Sequence, residues 1–395
     1  MTAMQESRVA RQSSTWRVPR RSHSQLDCGL PPDYIAYIDN EDLNRFIRLY
    51  WFRDETTLRS IQSWRSFAYP HLGPFPVPPS SVRALRLMAS HPSPNSAPED
   101  QSMTSKRTQS QPKSPLPPQS QRKPGLDSDM VPPPRYQAPL YKGADKLKDK
   151  VAIVTGGDSG IGRSVAVLFA REGADVTIIY LAEEQSDAEE TRRAVEKEGR
   201  RALLIPGDVT ERAFCALATQ QTVKEFGKLD ILVNNAAYQQ TQEHFADITD
   251  EQWDKTFRTN ISGYFYMAQA ALPHLRPGSA IINSGSITGL EGSKTLVDYA
   301  STKGAIHAFT KSLAQNLAEK KIRVNCVAPG PIWTPLQPVS KPPQQVSEHG
   351  ADTPLKRPGQ PEEVAPAFVF FASEADSSYI SGEILTVLGW QTRAG

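Results

Sequence analysis

The chain has 395 residues and a formal net charge of +2, with 38% hydrophobic residues, which is enough for one or two globular domains. Residues 1–123 hold 17 Lys and Arg against 10 Asp and Glu, whereas the remainder holds 28 against 33. The acidic remainder argues against a nucleic-acid surface, and no apolar run reaches the roughly 18–20 residues that span a bilayer.

Residues 1–122 are predicted to be a poorly ordered extension. They are rich in Pro, Ser and Arg, and such a sequence buries too little apolar area to offset the entropy of ordering. The arginines Arg8 to Arg21, with few acids among them, keep a mitochondrial presequence open as an alternative to a cytoplasmic location. An adaptor role for this extension is a second alternative.

The cysteines and histidines indicate neither a disulfide framework nor a metal site. The three cysteines, Cys28, Cys215 and Cys326, lie far apart and outside any CxxC pattern, which favours a reducing, cytoplasmic compartment. The histidines, among them His307, are single and lack ligand spacing, so they are interpreted as satisfied polar or surface residues.

From residue 148 onwards, short apolar runs alternate with helical patterns. Such alternation is typical of βαβ units in a parallel sheet that is covered on both faces. The sequence therefore predicts one α/β domain over 148–395, a doubly wound Rossmann domain with a seven-stranded parallel sheet. The predicted strands are Val151–Val154, Ala174–Tyr180, Ala202–Ile205, Leu229–Val233, Ser279–Asn283, Ile322–Val327 and Glu383–Val387. The longer predicted helices include Trp253–Leu272, Tyr299–Glu319 and Pro361–Ala372.

A glycine loop joins the first predicted strand to the first helix. Its glycines, Gly156, Gly160 and Gly162, have the spacing GxxxGxG. Glycines at this junction allow a tight turn, let backbone N–H groups approach a pyrophosphate, and permit close packing of helix on strand. The predicted cofactor contacts of the loop are Gly156, Asp158, Ser159, Gly160, Ile161 and Gly162.

The end of the second strand, at Tyr180 and Leu181, is expected to contact the adenosine ribose. An acid there favours NAD and an arginine favours NADP, but the sequence offers neither at these two positions. Asp158 is acidic where a basic residue would help to hold a 2′-phosphate, which favours NAD. NAD or NADP therefore stays open, with a lean to NAD.

Tyr299 and Lys303 open a predicted helix with i, i+4 spacing, which places both side chains on one face. A tyrosine hydroxyl titrates near 10, and a neighbouring ammonium favours its phenolate. Taken alone, a Tyr and a Lys at this spacing are equally consistent with a solvent-exposed helix face. Ser286 after the fifth strand, Asn235 and Ala236 after the fourth, and Asn260 in the preceding helix make a catalytic site the better interpretation.

In their order and spacing, these motifs resemble those of the short-chain dehydrogenase/reductase family of the compact type. The matching stretches are TGGDSGIG, NNAA, Asn260, Ser286, YASTK and Pro329-Gly330. GLDSDM at 125–130, YKG at 141–143 and PGPIWT at 329–334 are similar to a glucose/ribitol-dehydrogenase-like subgroup. That resemblance implies that residues 123–147 form an arm packed on the domain.

The resemblance also implies a role for each site residue. Tyr299 would be the general acid/base, Lys303 would lower its pKa, Ser286 would orient the substrate oxygen, and Asn260 would hold a water that links Lys303 to solvent. Further cofactor contacts would be Asp208, Val209, Asn235, Ala236, Pro329, Gly330, Ile332 and Thr334, besides Tyr299 and Lys303.

The expected reaction is hydride transfer between NAD(P) and a secondary alcohol or carbonyl compound, such as a sugar, a polyol or a small carbonyl. A homotetramer is the expected assembly. A non-enzymatic NAD(P)-sensing protein remains an alternative, although such proteins tend to lose the Tyr or the Lys.

Two local features bear on specificity. Gly285 stands where the family often has a serine before the catalytic one. The long loop from Thr334 to Gln360 is predicted to be a lid, and Trp333, Leu336 and Pro338 suggest an apolar wall rather than a site for a charged substrate.

Overall fold

A computed structural model describes residues 111–392 of the chain. The described part contains the predicted seven-stranded parallel sheet, with the strand order β3-β2-β1-β4-β5-β6-β7. The predicted fold class is therefore confirmed, whereas the expectations for residues 1–110, including the presequence and adaptor alternatives, lie outside the described residues. The strands are β1 Val151–Thr155, β2 Asp175–Tyr180, β3 Ala202–Pro206, β4 Ile231–Asn234, β5 Ala280–Ser284, β6 Arg323–Pro329 and β7 Ile384–Val387.

The central strands are rich in apolar residues because helices cover both faces of the sheet. Every residue of β1, β2, β5 and β6 is buried. Alternate residues of one strand enter two cores, since Val154 packs in the core on one face and Ile153 in the core on the other. Each such fully buried side chain contributes about 1.5–3 kcal/mol of burial free energy.

The helices alternate with the strands as the sequence pattern predicts, with one exception. The stretch predicted as a single helix from Trp253 to Leu272 contains a π-helical segment, Arg258–Ser262, between two α-helices. None of the described helices is long and apolar enough to cross a membrane. The α-helices are α1 Gly160–Arg171, α2 Gln185–Lys197, α3 Arg212–Phe226, α4 Asp250–Phe257, α5 Gly263–Ala271, α6 Thr288–Glu291, α7 Val297–Leu317, α8 Pro343–Ser347, α9 Pro361–Ala372 and α10 Glu374–Ser377.

Residues 111–147 form an extended arm that lies along the domain. Leu116 is buried in a small cluster with Met130, Trp333 and Val346, and its N–H donates to the Ser347 carbonyl at 2.8 Å. Contact with the domain thus begins before residue 123, where the sequence places the start of the arm. The anchors of this stretch include the buried Leu116 and the Ser114 hydroxyl, which donates to the His349 carbonyl at 2.6 Å.

Candidate active site

A cleft of about 460 Å³ opens at the carboxyl edge of the sheet. It is lined by the loops that follow β1, β2, β4, β5 and β6, together with the start of α7. The crevice beyond the carboxyl ends of the strands is where open α/β sheets bind their ligands. The volume is within the range of small-molecule sites.

The glycine loop between β1 and α1 depends on the absence of side chains. Gly156 and Gly160 have φ of +59° and +49°, in the left-handed region that favours glycine. A Cβ on Gly162 would lie 1.8 Å from the Gly156 carbonyl oxygen, so Gly162 is required by the packing of α1 on the loop. Unlike the other five predicted loop contacts, Gly162 does not line the cleft.

Asn235 connects the glycine loop to the ends of two strands. Its Nδ2 donates to the Gly156 carbonyl at 3.0 Å, and its Oδ1 accepts from the Ser284 hydroxyl at 3.2 Å. Its N–H donates to the Thr155 hydroxyl at 2.9 Å. Asn235 therefore lies at the cleft, as the sequence predicts, and its hydrogen bonds fix the shape of the glycine loop.

Tyr299, Lys303 and Ser286 come together at one end of the cleft, as their spacing predicts. The Lys303 Nζ is 5.3 Å from the centroid of the Tyr299 ring. Burial raises the pKa of Tyr299 to about 12, and the hydrogen-bonding Ser286 side chain opposes that rise. The phenol is thus a protonated group at neutral pH in the cofactor-free chain.

Lys303 is buried without a carboxylate beside it. Its Nζ donates to the Ser284 carbonyl at 2.7 Å, and 1% of the residue is exposed. Burial lowers the pKa of Lys303 to about 8, because a low-dielectric surrounding disfavours the charged form. Because little in its surroundings offsets its positive charge, the Lys303 ammonium strongly stabilises a negative charge on a neighbouring group.

Asn260 lies in the π-helical segment and is fully buried. Its Oδ1 accepts from the Tyr238 N–H at 2.8 Å, and its Nδ2 donates to the Tyr238 carbonyl at 3.0 Å and to the Thr302 hydroxyl at 3.0 Å. Asn260 does not line the cleft itself. It fixes the loop after β4 against the helix that carries Tyr299.

Two neighbours of Ser286 were not predicted as site residues. The Ser286 hydroxyl oxygen accepts from the Thr288 hydroxyl at 3.0 Å. His307, interpreted from sequence as a satisfied polar or surface residue, is instead 6% exposed, and among the described residues neither ring nitrogen has a hydrogen-bond partner. Gly285 makes room for this ring, since a Cβ there would lie 2.6 Å from the His307 Nε2.

The part of the cleft beyond β1, β2 and β3, where the sequence predicts the adenosine of the cofactor, is acidic. Asp158, Glu183, Glu184 and Asp208 line it. Burial raises the pKa of both Asp158 and Glu184, with the negative charge of Asp158 as a second cause at Glu184. The sequence identified Asp158 and Asp208 but missed the two glutamates, which follow Leu181 on an ordinary charged helical stretch.

The predicted apolar wall is only partly present. Leu336 lines the cleft, but Trp333 is fully buried in the arm cluster and donates its indole N–H to the Pro132 carbonyl at 2.8 Å. Two lysines that the sequence did not single out, Lys123 and Lys255, line the cleft instead. The expectation that Trp333 faces the substrate is therefore wrong, because the arm covers it.

Most predicted cofactor contacts do line the cleft. The set comprises Gly156, Asp158, Ser159, Gly160, Ile161, Tyr180, Leu181, Asp208, Val209, Asn235, Ala236, Tyr299, Lys303, Pro329, Gly330, Ile332 and Thr334. Within residues 111–392, no group of three or more His, Cys, Asp or Glu is arranged to hold a metal ion.

Comparisons with known proteins give a consistent result. A family model described as Enoyl-(Acyl carrier protein) reductase matches residues 156–389. The chain is 58% identical to the uncharacterized oxidoreductase YhdF of Bacillus subtilis (strain 168) over 68% of its own length and 92% of that protein. It is 48% identical to glucose and ribitol dehydrogenase of Daucus carota over 68% and 94% of the two chains.

A solved structure of similar fold is that of a short-chain dehydrogenase from Burkholderia cenocepacia J2315 in complex with NADP. It is 31% identical to this chain, with a TM-score of 0.58, and the match covers 62% of this chain and 98% of that one.

Proposed function

This chain belongs to the short-chain dehydrogenase/reductase family and is an NAD(P)-dependent oxidoreductase, and we propose that it interconverts a secondary alcohol and its carbonyl with Tyr299 as general acid/base. The observation that carries the proposal is the juxtaposition of Tyr299, Ser286 and the buried Lys303 ammonium in a cleft that the glycine loop also lines.

The residues present fit a dinucleotide. The loop with positive φ at Gly156 and Gly160 brings bare backbone against the cleft, and α1 begins at Gly160, so its N-terminus faces the same space. A bound nicotinamide supplies the hydride for reduction or accepts it in oxidation. Gly156, Ile161, Asn235, Pro329 and Gly330 would hold it.

The proton chemistry is assigned to this chain's own side chains. In reduction, Tyr299 donates its phenolic proton to the carbonyl oxygen, and in oxidation the phenolate removes the hydroxyl proton. Lys303 stabilises the phenolate because opposite charges attract strongly where water is excluded. Ser286 orients the substrate oxygen through its hydroxyl, which Thr288 in turn positions.

We assign to Asn260 the role of holding a water molecule through which a proton returns from solvent to Lys303. Its place in a π-helical segment supports this role, because such segments widen the helix and are frequent at functional sites. The loop from Thr334 to Gln360 is assigned the role of a lid, supported by Thr334, Leu336 and Gln337 at the cleft.

NAD is proposed as the preferred cofactor. Four carboxylic side chains line the adenosine end, and the cleft-lining cations among the described residues, Lys123, Lys255 and Lys303, belong to the other end. A 2′-phosphate would meet these acids, whereas a ribose 2′-hydroxyl can donate to one of them.

A homotetramer is also proposed, supported by Trp253 and Phe265, which are large apolar residues exposed on α4 and α5.

The test is the absorbance of the nicotinamide band with NADH and NADPH over a panel of sugars, polyols and small carbonyls. We expect turnover with at least one carbonyl and a higher kcat/KM with NADH. Tight binding of a cofactor without turnover of any member would favour a sensing protein instead. Light scattering on the same sample reports the number of subunits.

A further inference from the structure

Two ammonium groups flank one aromatic ring at the substrate end of the cleft. The Lys123 Nζ is 4.1 Å and the Lys255 Nζ 4.8 Å from the centroid of the Tyr238 ring. Lys123 comes from the arm and Lys255 from α4, and both line the cleft. Within residues 111–392, neither takes part in an ion pair.

The main chain that carries this ring is held in a fixed position. Both main-chain groups of Tyr238 are hydrogen bonded to the buried Asn260 side chain, at 2.8 and 3.0 Å. Asn260 also donates to Thr302 in α7, the helix of Tyr299. Lys123 donates in addition to the Gln240 side chain. The main chain of Tyr238 is therefore tied to the helix that carries Tyr299, whereas Lys123 and Lys255 are exposed side chains that reach the ring from the arm and from α4.

The buried carboxylate whose charge acts on Lys123, that of Asp298, already has partners inside the protein. Asp298, which directly precedes Tyr299, is buried, and its Oδ2 accepts from Gln252 at 3.0 Å and from Thr256 at 2.7 Å. Partial burial lowers the pKa of Lys123 to about 8, and the positive charge of Lys255 adds to this effect. An anion bound between the two lysines would relieve their repulsion.

The charges along the cleft are also segregated. The acids Asp158, Glu183, Glu184 and Asp208 line the adenosine end, whereas Lys123 and Lys255 lie around Tyr238, on the side of Tyr299. Because the rest of the domain is mildly acidic, the positive charge around Tyr238 attracts anions to this end of the cleft alone. A neutral sugar or alkyl carbonyl would bring no negative charge to the two ammonium groups.

We propose that the substrate is a carbonyl or hydroxyl compound that carries a carboxylate or phosphate, and that Lys123 and Lys255 bind this anionic group while Tyr299 acts on the oxygen. The inference rests on the proposed function, because it names the substrate class of the same site. It favours a charged substrate, where the sequence suggested an apolar wall.

The test compares matched substrates on the full chain. The pairs are 4-oxopentanoate with pentan-2-one and dihydroxyacetone phosphate with dihydroxyacetone, all ketones that would give secondary alcohols, and they separate the carboxylate from the phosphate. We expect kcat/KM to be at least about tenfold higher for the anionic member of one pair, since a hydrogen bond to a charged group is worth about that factor. Added NaCl should reduce this preference.

Variants assign the preference to the two lysines. Lys123→Gln with Lys255→Gln should lower kcat/KM for the anionic substrate by about tenfold or more, and Lys123→Arg with Lys255→Arg should retain the preference because the charge is kept. Lys197→Gln, an exposed lysine of α2 that does not line the cleft, is the control for the loss of one charge. An unchanged preference in the double glutamine variant overturns the inference.

A binding experiment separates this inference from the proposed function. Succinate and inorganic phosphate, which the enzyme cannot reduce, are titrated calorimetrically into the wild-type protein with NADH and into the double glutamine variant. We expect one of them to bind the wild type and to bind the variant about tenfold more weakly. If neither binds, or both proteins bind equally, the inference fails even where carbonyl reduction is observed. If no carbonyl is reduced although the anion binds, the proposed function fails.

Discussion

The Asp127 carboxylate accepts a hydrogen bond from the Gly160 N–H at 3.1 Å and thereby joins the arm to the glycine loop. The same oxygen lies 3.1 Å from the Arg163 Nη1. Arg163 in turn donates to the Asp158 carbonyl at 2.8 Å and pairs with Asp187 at 3.2 Å. The arm is thus part of the support of the cofactor loop.

Asp127→Ala should weaken cofactor binding about tenfold, because the Gly160 N–H and the Arg163 guanidinium lose a buried partner. The free energy of unfolding should fall by about 3 kcal/mol, as for other broken buried ion pairs. The measurements are NADH binding by fluorescence and urea denaturation. Asp129→Ala, in the same turn but exposed, is the control. Unchanged NADH affinity in a destabilised Asp127→Ala protein would limit the arm to a stabilising role.

Tyr299→Phe should reduce kcat by about 10²–10⁴, the usual contribution of general acid/base catalysis, while NADH still binds. The ring and its packing are retained, and only the proton donor is lost. Initial-rate absorbance measurements give kcat, and titration with NADH gives the affinity for the cofactor. Tyr379→Phe, at a fully exposed tyrosine, is the matched control. A Tyr299→Phe enzyme with near-normal kcat would refute the assignment.

The rate of carbonyl reduction should fall above about pH 8. Reduction needs a protonated Tyr299 and a charged Lys303; burial raises the pKa of Tyr299 to about 12 and lowers that of Lys303 to about 8. The limiting group is therefore Lys303, which loses its charge first as the pH rises. The pH dependence of kcat/KM reports the free enzyme, and a flat profile up to about pH 10 would contradict this.

Gly285→Ser should destabilise the protein by about 1–3 kcal/mol, the usual cost of overpacking. A Cβ at this position would lie 2.6 Å from both the His307 Nε2 and the Cys326 Sγ. Combining Gly285→Ser with His307→Ala removes one of the two clashes, so the two changes should be coupled by at least about 0.5 kcal/mol in a double-mutant cycle. Urea denaturation of the four proteins measures it, and additive effects would show that the ring is not the obstacle.

The sheet could be predicted from the sequence because its strands are buried on both faces. The run Val151–Val154 is continuously apolar between helical patterns, which indicates a strand that is buried on both faces. The grouping of Tyr299, Lys303 and Ser286 was predictable for a similar reason, since the carboxyl ends of parallel strands share one edge.

Features that depend on distant pairs could not be predicted. Asp127 reads as an exposed acid in a polar stretch, and only the fold brings it to Arg163. Lys123 and Lys255 are 132 residues apart and meet at Tyr238. His307 is buried in space that a side chain at position 285 would fill. The helical periodicity of the sequence does not show this, because Gly285 lies in a different element.

The arm imposes an order on the folding of the nascent chain. Ser347 donates its hydroxyl to the Leu116 carbonyl across a separation of 231 residues, and Ser114 donates to the His349 carbonyl across 235. Synthesis runs from the N-terminus at about 5–20 residues per second, so the arm leaves the ribosome long before its docking surface exists. The βαβ units around β1 and β2 have local contacts and are expected to form early, and the contacts of Asp127 with Gly160 and Arg163 can form with them. Docking of the arm at Ser114 and Leu116 is completed only after translation has passed residue 349.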